Sequence, residues 1–312
     1  MKIGISTCLL GENVRYDGGH KLDRYLRDLL GKYVSYVPVC PETESGMSTP
    51  REALRLVGDV DNPRLVTQKS GEDYTEMMQN WASRRLDELE QERLCGFIFK
   101  SKSPSSGMER VKVYNDKGHP VPKGRGMFAG MFMERFPLLP VEEEGRLHDP
   151  MLRENFITRI FVFGRWMQHM EQGLSTSRLV DYHTRHKLLL MAHNVNAYRE
   201  LGRMVAGAGK TPPDELASLY ISKLMAALKF ASTIKKNVNV LQHVMGYFKR
   251  DLSSDEKQEL LEVISNYQKS QVPLIVPVTL LNHYVRKYQQ PYLKEQVYLN
   301  PHPMELKLRN HV

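Results

Sequence analysis

Two hydrophobic periods divide the chain. In the first part, short apolar runs alternate with longer stretches of helical spacing. Residues 2–7, 33–39 and 96–100 are apolar and rich in β-branched or aromatic side chains, the pattern of buried strands. Residues 20–30 bring Leu22, Tyr25, Leu26, Leu29 and Leu30 close to one helical face. Residues 72–92 do the same with Tyr74, Met77, Met78, Trp81 and Leu89. Gly124, Arg125 and Gly126 then open a helix over 127–135. Strands alternating with helices predict an α/β fold, a Rossmann-like parallel sheet covered on both faces.

From residue 151 the strand pattern disappears. Residues 153–172, 176–206, 213–237, 240–248, 254–269 and 277–290 all carry helical spacing, so this half is predicted to be all-α. Ser254, Asp255 and Glu256 mark one helix start, because such side chains suit the positive end of the helix dipole. Pro137, Pro140 and Pro150, with the acidic run Glu142, Glu143 and Glu144, read as a linker. The expected organisation is an α/β domain over 1–138, a linker over 139–150 and an all-α domain over 151–312.

Composition narrows this picture. The 312 residues allow two domains, each able to bury a core without disulfide staples. Cys8, Cys40 and Cys95 are an odd, sparse set that argues against a disulfide framework. No run reaches the roughly 18 apolar residues of a membrane span. The best, 156–167, is broken by Arg159, Gly164 and Arg165. The N-terminus is too short and polar for a signal peptide and reads as a first strand, so the expected location is the cytoplasm.

Charge separates the halves further. Residues 1–150 carry 22 Lys and Arg against 23 Asp and Glu, whereas residues 151–312 carry 22 against 13. The whole net charge of +8 therefore originates in the helical half. Such asymmetry points to a polyanionic partner. Tyr182, Arg185, His186, Lys187, Arg199 and Arg203 share one helical segment, and Tyr284, Arg286, Lys287 and Tyr288 another. Basic residues interleaved with aromatics suit phosphates and unstacked bases, so RNA is the expected partner. The plainer alternative is a solvated helix surface with its aromatics in the core.

In an open parallel sheet, ligands bind beyond the carboxyl ends of the strands. Three loops fall at such ends: 8–18, 39–52 and 100–107. Cys8 and Cys40 lie in two of them, 32 positions apart, and the predicted sheet brings those ends together. By spacing alone they are either metal ligands or small buried hydrophobes.

The blocks in these loops resemble the thiouracil desulfidase family. They are Cys8-Leu9-Leu10-Gly11, Val14-Arg15-Tyr16-Asp17-Gly18, Val39-Cys40-Pro41-Glu42, Thr49-Pro50-Arg51 and Ser103-Pro104-Ser105-Ser106-Gly107. The second half resembles the YbgA-type domain in Arg153-Glu154-Asn155-Phe156, in 183–187 and in Met191-Ala192-His193-Asn194. The fused arrangement resembles bacterial tRNA 4-thiouridine desulfidases.

The resemblance implies a [4Fe-4S] cluster held by three cysteines, leaving one iron open. An open iron binds a soft thiocarbonyl sulfur and polarises the C–S bond as a Lewis acid. Water then adds to the carbon and hydrosulfide leaves, without electron transfer. On this basis Cys8 and Cys40 are metal ligands, and Glu42 is the general base on water. Ser103 is the catalytic serine, with Ser101 and Ser105 as close neighbours. Arg15, Asp17 and Arg51 contact substrate, or else fix loops by hydrogen bonds.

One position departs from the family pattern. The family carries its third cysteine where this chain has Ser106. Cys95 precedes the strand whose far end holds the loop, and about six residues at ~3.3 Å each would set it ~20 Å from the site. Three outcomes stay open: Ser106 as an oxygen ligand, a reorganised site using Cys95, or a labile or absent cluster. The expected function is conversion of 4-thiouridine in tRNA to uridine. The alternatives are free thiouracil as substrate, or a cluster-free RNA-binding or regulatory protein.

Three further patterns carry less. Lys123-Gly124-Arg125-Gly126 offers a phosphate site at a helix N-terminus, or simply a helix entry. Gly207-Ala208-Gly209-Lys210-Thr211 imitates a P-loop, but Met204 stands at the required glycine and no strand precedes it. His183, His186 and His193 lack a carboxylate to complete a metal set and read as packed helix residues.

Overall fold

The computed structural model describes residues 1–115, 117–171 and 173–311. It divides into two compact units, Met1–His148 and Asp149–Val312.

The first unit holds two four-stranded sheets. One contains β1 (Lys2–Ser6), β2 (Ser35–Val39), β5 (Phe97–Phe99) and β8 (Val141–Glu143), in the order β2-β1-β5-β8. All three pairings are parallel. The other contains β3 (Leu54–Gly58), β4 (Pro63–Thr67), β6 (Val111–Tyr114) and β7 (Pro120–Gly124), in the order β4-β3-β6-β7. Its two outer pairings are antiparallel and β3–β6 is parallel. Three helices complete the unit: α1 (Pro41–Glu44), α2 (Thr75–Gln91) and α3 (Met127–Arg135).

Stacked and edge-on contacts among Phe97, Phe99, Phe128 and Phe132 weld the parallel sheet to α3. Trp81 and Leu86 of α2 join the same core. Gly4 lets Phe97 lie against β1, since a Cβ there would sit 2.1 Å from the Phe97 ring.

The parallel sheet appears where the apolar runs predict it, but three expectations change. No element was assigned to 53–71 or 108–122, which build the mixed sheet. Its strands β3 and β6 bury alternate residues, Leu54 and Leu56 or Val111 and Val113, and so lack a continuous apolar signal. The helix over 20–30 shrinks to a π turn at Tyr25–Leu29 and a 3-10 turn at Leu30–Lys32. The Lys21 and Asp23 amides are taken by the carbonyls of Cys8 and Leu9, which holds the segment out of a helical ladder. The linker over 139–150 instead supplies β8, where Val141, Glu142 and Glu143 pair with Phe97, Ile98 and Phe99. Prolines and acidic residues gave it a linker's composition, but the β5 edge satisfies its backbone.

The second unit is helical: α4 (Pro150–Met170), α5 (Thr176–His193), α6 (Val195–Ala206), α7 (Pro213–Leu228), α8 (Ile234–Gly246), α9 (Ser254–Gln268), α10 (Ile275–Lys287) and α11 (Pro291–Lys294). Residue 172, the predicted end of the first helix, lies outside the described residues. The predicted helix over 176–206 is two, because the Asn194 side chain accepts the Ala197 amide and restarts the chain as an N-cap. The helix over 213–237 also divides, with Thr233 capping α8. Ser253 and Glu256 form a reciprocal capping box at the start of α9. Among the described residues no helix is long and apolar enough to cross a membrane.

Candidate active site

Three neighbouring strands of the parallel sheet end at one cavity of about 560 Å³. β1 runs into a 3-10 turn, Thr7–Leu10, which presents Cys8. β2 ends at Cys40, which precedes the short helix α1 and its Glu42. β5 runs into the serine loop, of which residues 100–106 line the cavity. Cys8, Arg15, Cys40, Glu42, Ser103 and Ser106 all face this one space.

The serine loop is held by backbone contacts. The amides of Gly126, Met127 and Ala129 donate to the carbonyls of Gly107, Pro104 and Ser105 at 2.7, 3.0 and 3.2 Å. A Cβ on Gly126 would fall 2.6 Å from the Gly107 nitrogen, so only glycine permits this approach. The same contacts remove the phosphate site considered at Lys123-Gly124-Arg125-Gly126, because the first amides of α3 are already spent on the loop.

Within the loop, the Ser103 hydroxyl accepts the amides of Ser105 and Ser106 at 3.3 and 3.1 Å. It lies 3.0 Å from the Ser105 hydroxyl, which donates to Glu42 Oε1 at 2.8 Å. Ser105 is therefore the serine that touches the carboxylate, with Ser103 behind it. The other Glu42 oxygen pairs with the buried Arg51 guanidinium.

Arg51 and Asp17 are not among the lining residues. Arg51 also donates to the carbonyls of Ser48 and Val14 at 3.1 and 3.0 Å, so it ties Glu42 to two loops. Asp17 accepts the Gly19 amide at 3.1 Å and pairs with Arg15 at 3.3 Å on an exposed turn. Its carboxyl is held below the usual range, chiefly by that amide.

Neither thiol is in a disulfide, and Cys8 is buried while Cys40 is half-buried. Burial pushes Cys8 up to about 12, the nearby Cys40 thiol adds to the rise, and Lys100 and Arg15 oppose it. Burial also raises Cys40, opposed by hydrogen bonding from Thr43. Cys95 is placed elsewhere. Its amide donates to the Lys2 carbonyl at 2.8 Å, at the starts of β1 and β5 and thus at the opposite edge of the sheet. The reorganised site using Cys95 is therefore excluded by the direction of the strand.

Among the described residues, no three His, Cys, Asp or Glu side chains converge as a ligand set. A metal group here would depend on the two thiols together with an oxygen donor, and Ser106 is one of the hydroxyls that the third loop brings to the cavity. Thiolates are the natural ligands of iron–sulfur clusters, so the donor set fits with one soft ligand exchanged for a hard one.

Lys100 and Glu144 carried no role in the sequence. Lys100 lines the cavity and pairs with Glu144, which also accepts from the Ser101 amide and hydroxyl at 2.7 and 2.9 Å. The only sequence signal was the acidic run, read there as linker.

His183, His186 and His193 of the helical unit each engage Nδ1 within that unit. His183 meets the Tyr220 hydroxyl at 3.1 Å, and His186 and His193 meet the carbonyls of Tyr182 and Phe230 at 2.8 and 2.7 Å. Tyr182 and Tyr284, considered as base-stacking residues, are core instead, at 1% and 2% exposure. Lys187, Tyr198, Arg199 and Arg203 line a shallow depression of that unit's surface.

Comparison with known proteins assigns both parts. Residues 3–144 match the model of the 2-thiouracil desulfurase family, and residues 187–303 match a family described as protein of unknown function, DUF1722. The chain is 32% identical over 158 residues to the uncharacterized protein YbgA of Escherichia coli (strain K12), covering 50% of this chain and 94% of YbgA. It is 37% identical over 109 residues to the uncharacterized protein YbbK of Bacillus subtilis (strain 168), covering 33% of this chain and 71% of YbbK. Among solved structures, the [4Fe-4S]-dependent thiouracil desulfidase TudS is 29% identical with a TM-score of 0.39, over 47% of this chain and 93% of TudS. The chain thus belongs to the 2-thiouracil desulfurase family through its α/β unit and to the YbgA-type DUF1722 family through its helical unit.

Proposed function

We propose that this protein is a desulfidase that replaces the sulfur of a thiolated pyrimidine by oxygen, with a [4Fe-4S] cluster as cofactor. One observation carries the reading: Cys8, Cys40, Glu42 and the serine loop line a single cavity at the carboxyl ends of three adjacent strands. Cys8 and Cys40 would hold the cluster, with Ser106 at the third position. Bound there, the cluster would supply an open iron as a Lewis acid for the thiocarbonyl sulfur.

The chain's own residues do the rest. Glu42 takes the proton from the attacking water, while Arg51 and Ser105 hold its two oxygens in place. Ser103 keeps the loop in register through the Ser105 and Ser106 amides. Lys100, anchored by Glu144, places a positive charge beside the cavity where hydrosulfide departs. Water and thiocarbonyl become carbonyl and hydrogen sulfide, so no electron donor is required.

The substrate we infer is 4-thiouridine in tRNA, with the helical unit as the RNA-binding part. The support is the surplus of nine positive charges in residues 151–312 and the Lys187, Arg199 and Arg203 depression. A 4-thiouridine in folded tRNA has to be exposed first, at a cost of a few kcal/mol.

The test is anaerobic purification followed by iron and sulfide analysis, then turnover of 2-thiouracil, 4-thiouridine and 4-thiouridine-containing tRNA. About four irons per chain with faster turnover of the tRNA is the expected result. Faster turnover of the free base would make this a thiouracil enzyme. No iron after reconstitution would remove the chemistry and leave an RNA-binding protein. Affinity for tRNA is expected to fall steeply with salt, and a flat dependence would contradict phosphate contacts.

A further inference from the structure

A helical bundle gains most by filling its interior with apolar side chains, and burying polar groups there is costly. The second unit nevertheless holds a cavity of about 320 Å³ whose largely apolar lining carries a group of polar side chains. One face of α4 contributes Glu154, Asn155 and Thr158, and the end of α5 contributes His193. Glu154, Asn155 and His193 come from two of the three motifs that carry the YbgA resemblance, 153–156 and 191–194, which the RNA surface does not use.

This polar group is built rather than accidental. Glu154 accepts from Arg309 Nε at 3.3 Å and from His311 Nε2 at 2.9 Å, and Arg309 is braced by the Tyr298 carbonyl at 2.7 Å. Burial alone would raise Glu154, but the His311 hydrogen bond and the Arg309 charge hold its carboxyl below the ordinary value. Arg309 also balances the carboxylate, so the cavity has no large net charge with which to attract an ion.

His193 is 4% exposed, and burial pushes it down to about 4, so the ring is neutral. Its Nδ1 is spent on the Phe230 carbonyl, which leaves Nε2 as a lone-pair acceptor. Asn155 spends its amide nitrogen on the Leu228 carbonyl at 3.0 Å, which leaves its oxygen. Thr158 is 2% exposed and lines the cavity. Tyr267 and Tyr298 add aromatic wall. A neutral, acceptor-rich cavity with aromatic sides, at the lower end of the usual ligand range of ~300–1,000 Å³, suits a flat heterocycle that donates N–H groups.

We propose that this cavity is a second base-recognition site, which takes the N–H edge of a nucleobase on Asn155, Thr158 and His193. The base comes either from a free nucleoside or from a nucleotide of RNA turned out of its strand, and the recognition chemistry is the same for both.

The experiment titrates the full-length chain by calorimetry with uridine, 4-thiouridine, cytidine, adenosine and guanosine, and then with a trinucleotide of the tightest base. Thr158→Val preserves shape and removes the hydroxyl. His193→Asn keeps an N–H donor near Nδ1 and removes Nε2. Each is expected to weaken binding about tenfold with the circular dichroism spectrum unchanged. Hydrogen exchange of the unsubstituted chain is expected to show ligand protection in 154–158 and 189–193, which keeps the test valid if a variant fails to fold. Tighter binding of the trinucleotide assigns the base to RNA, and tighter binding of the nucleoside assigns it to a free ligand. No binding at millimolar nucleoside, affinities unchanged in both variants, or protection confined to the first unit would overturn the proposal. Because binding is read without turnover, these outcomes are independent of whether the α/β unit carries its cluster.

Discussion

The two units place their polar chemistry in opposite ways. The α/β unit gathers it in loops beyond the strand ends, where Cys8, Cys40, Glu42 and four serines face an open cavity. The helical unit buries it among helices, where His183, His186, His193, Glu154 and Arg309 are all largely shielded from water. A parallel sheet has a natural edge at which loop residues serve chemistry without disturbing the core. A bundle has no such edge, so most of its buried polar groups are hydrogen-bonded within the unit, with exceptions among the described residues such as His186 Nε2 and Gln296 Oε1. Substitutions in the first unit should therefore change cofactor content or rate, and those in the second should change stability.

The largest effect tests the first half of that contrast. Cys8→Ala or Cys40→Ala should remove essentially all iron from anaerobically prepared protein, while Cys95→Ala leaves it in place. Equal iron loss in the Cys95 variant would mean that the strand direction has been misjudged. Next in size is Glu42→Gln. Loss of a positioned general base should slow turnover by ~10²–10⁴-fold at unchanged iron content. Because Arg51 then loses its buried partner, the rate should be read at a temperature where circular dichroism shows the chain folded.

Acid should separate the units themselves. Burial lowers His183, His193 and His302 to about 4 and His186 to about 3, and all four belong to the helical unit. The unfolded chain takes up these protons near pH 6.5 and the folded one only near 4. Stability is therefore complete above pH 6.5 and lost as pH falls toward 4, by several kcal/mol at about 1.4 kcal/mol per pKa unit per group. Hydrogen exchange at pH 7 and pH 5 should show the helical unit opening first. Preferential opening of the α/β unit would break the contrast. The smallest effect is Ser253→Ala, which removes the capping box of α9 and should cost about 1 kcal/mol in denaturant unfolding without changing iron content or turnover.

Regions with a continuous signal were legible. The strands around Ile3, Val37 and Ile98 are apolar along their length, and the cysteine and glutamate positions follow from where those strands stop. The mixed sheet was not legible, because its strands are short, without a long apolar run, and the β3–β6 pairing that joins its two hairpins brings together residues 57 positions apart. Ser103 was chosen over Ser105 by its place in the motif, yet the hydrogen bond to Glu42 comes from Ser105. One-residue differences of this kind depend on how Gly126 clamps the loop.

Taken alone, the order of residues determined the two-part architecture, the charge asymmetry and the loops in which chemistry would fall. Periodicity and composition are local, and local information suffices for these. Tertiary structure decided that Cys95 stands at the wrong edge, that Arg51 serves Glu42, that the acidic run is a strand, and that two distant motifs enclose one cavity. Each of these depends on which distant groups satisfy a buried donor, acceptor or charge, and only the folded chain makes that assignment.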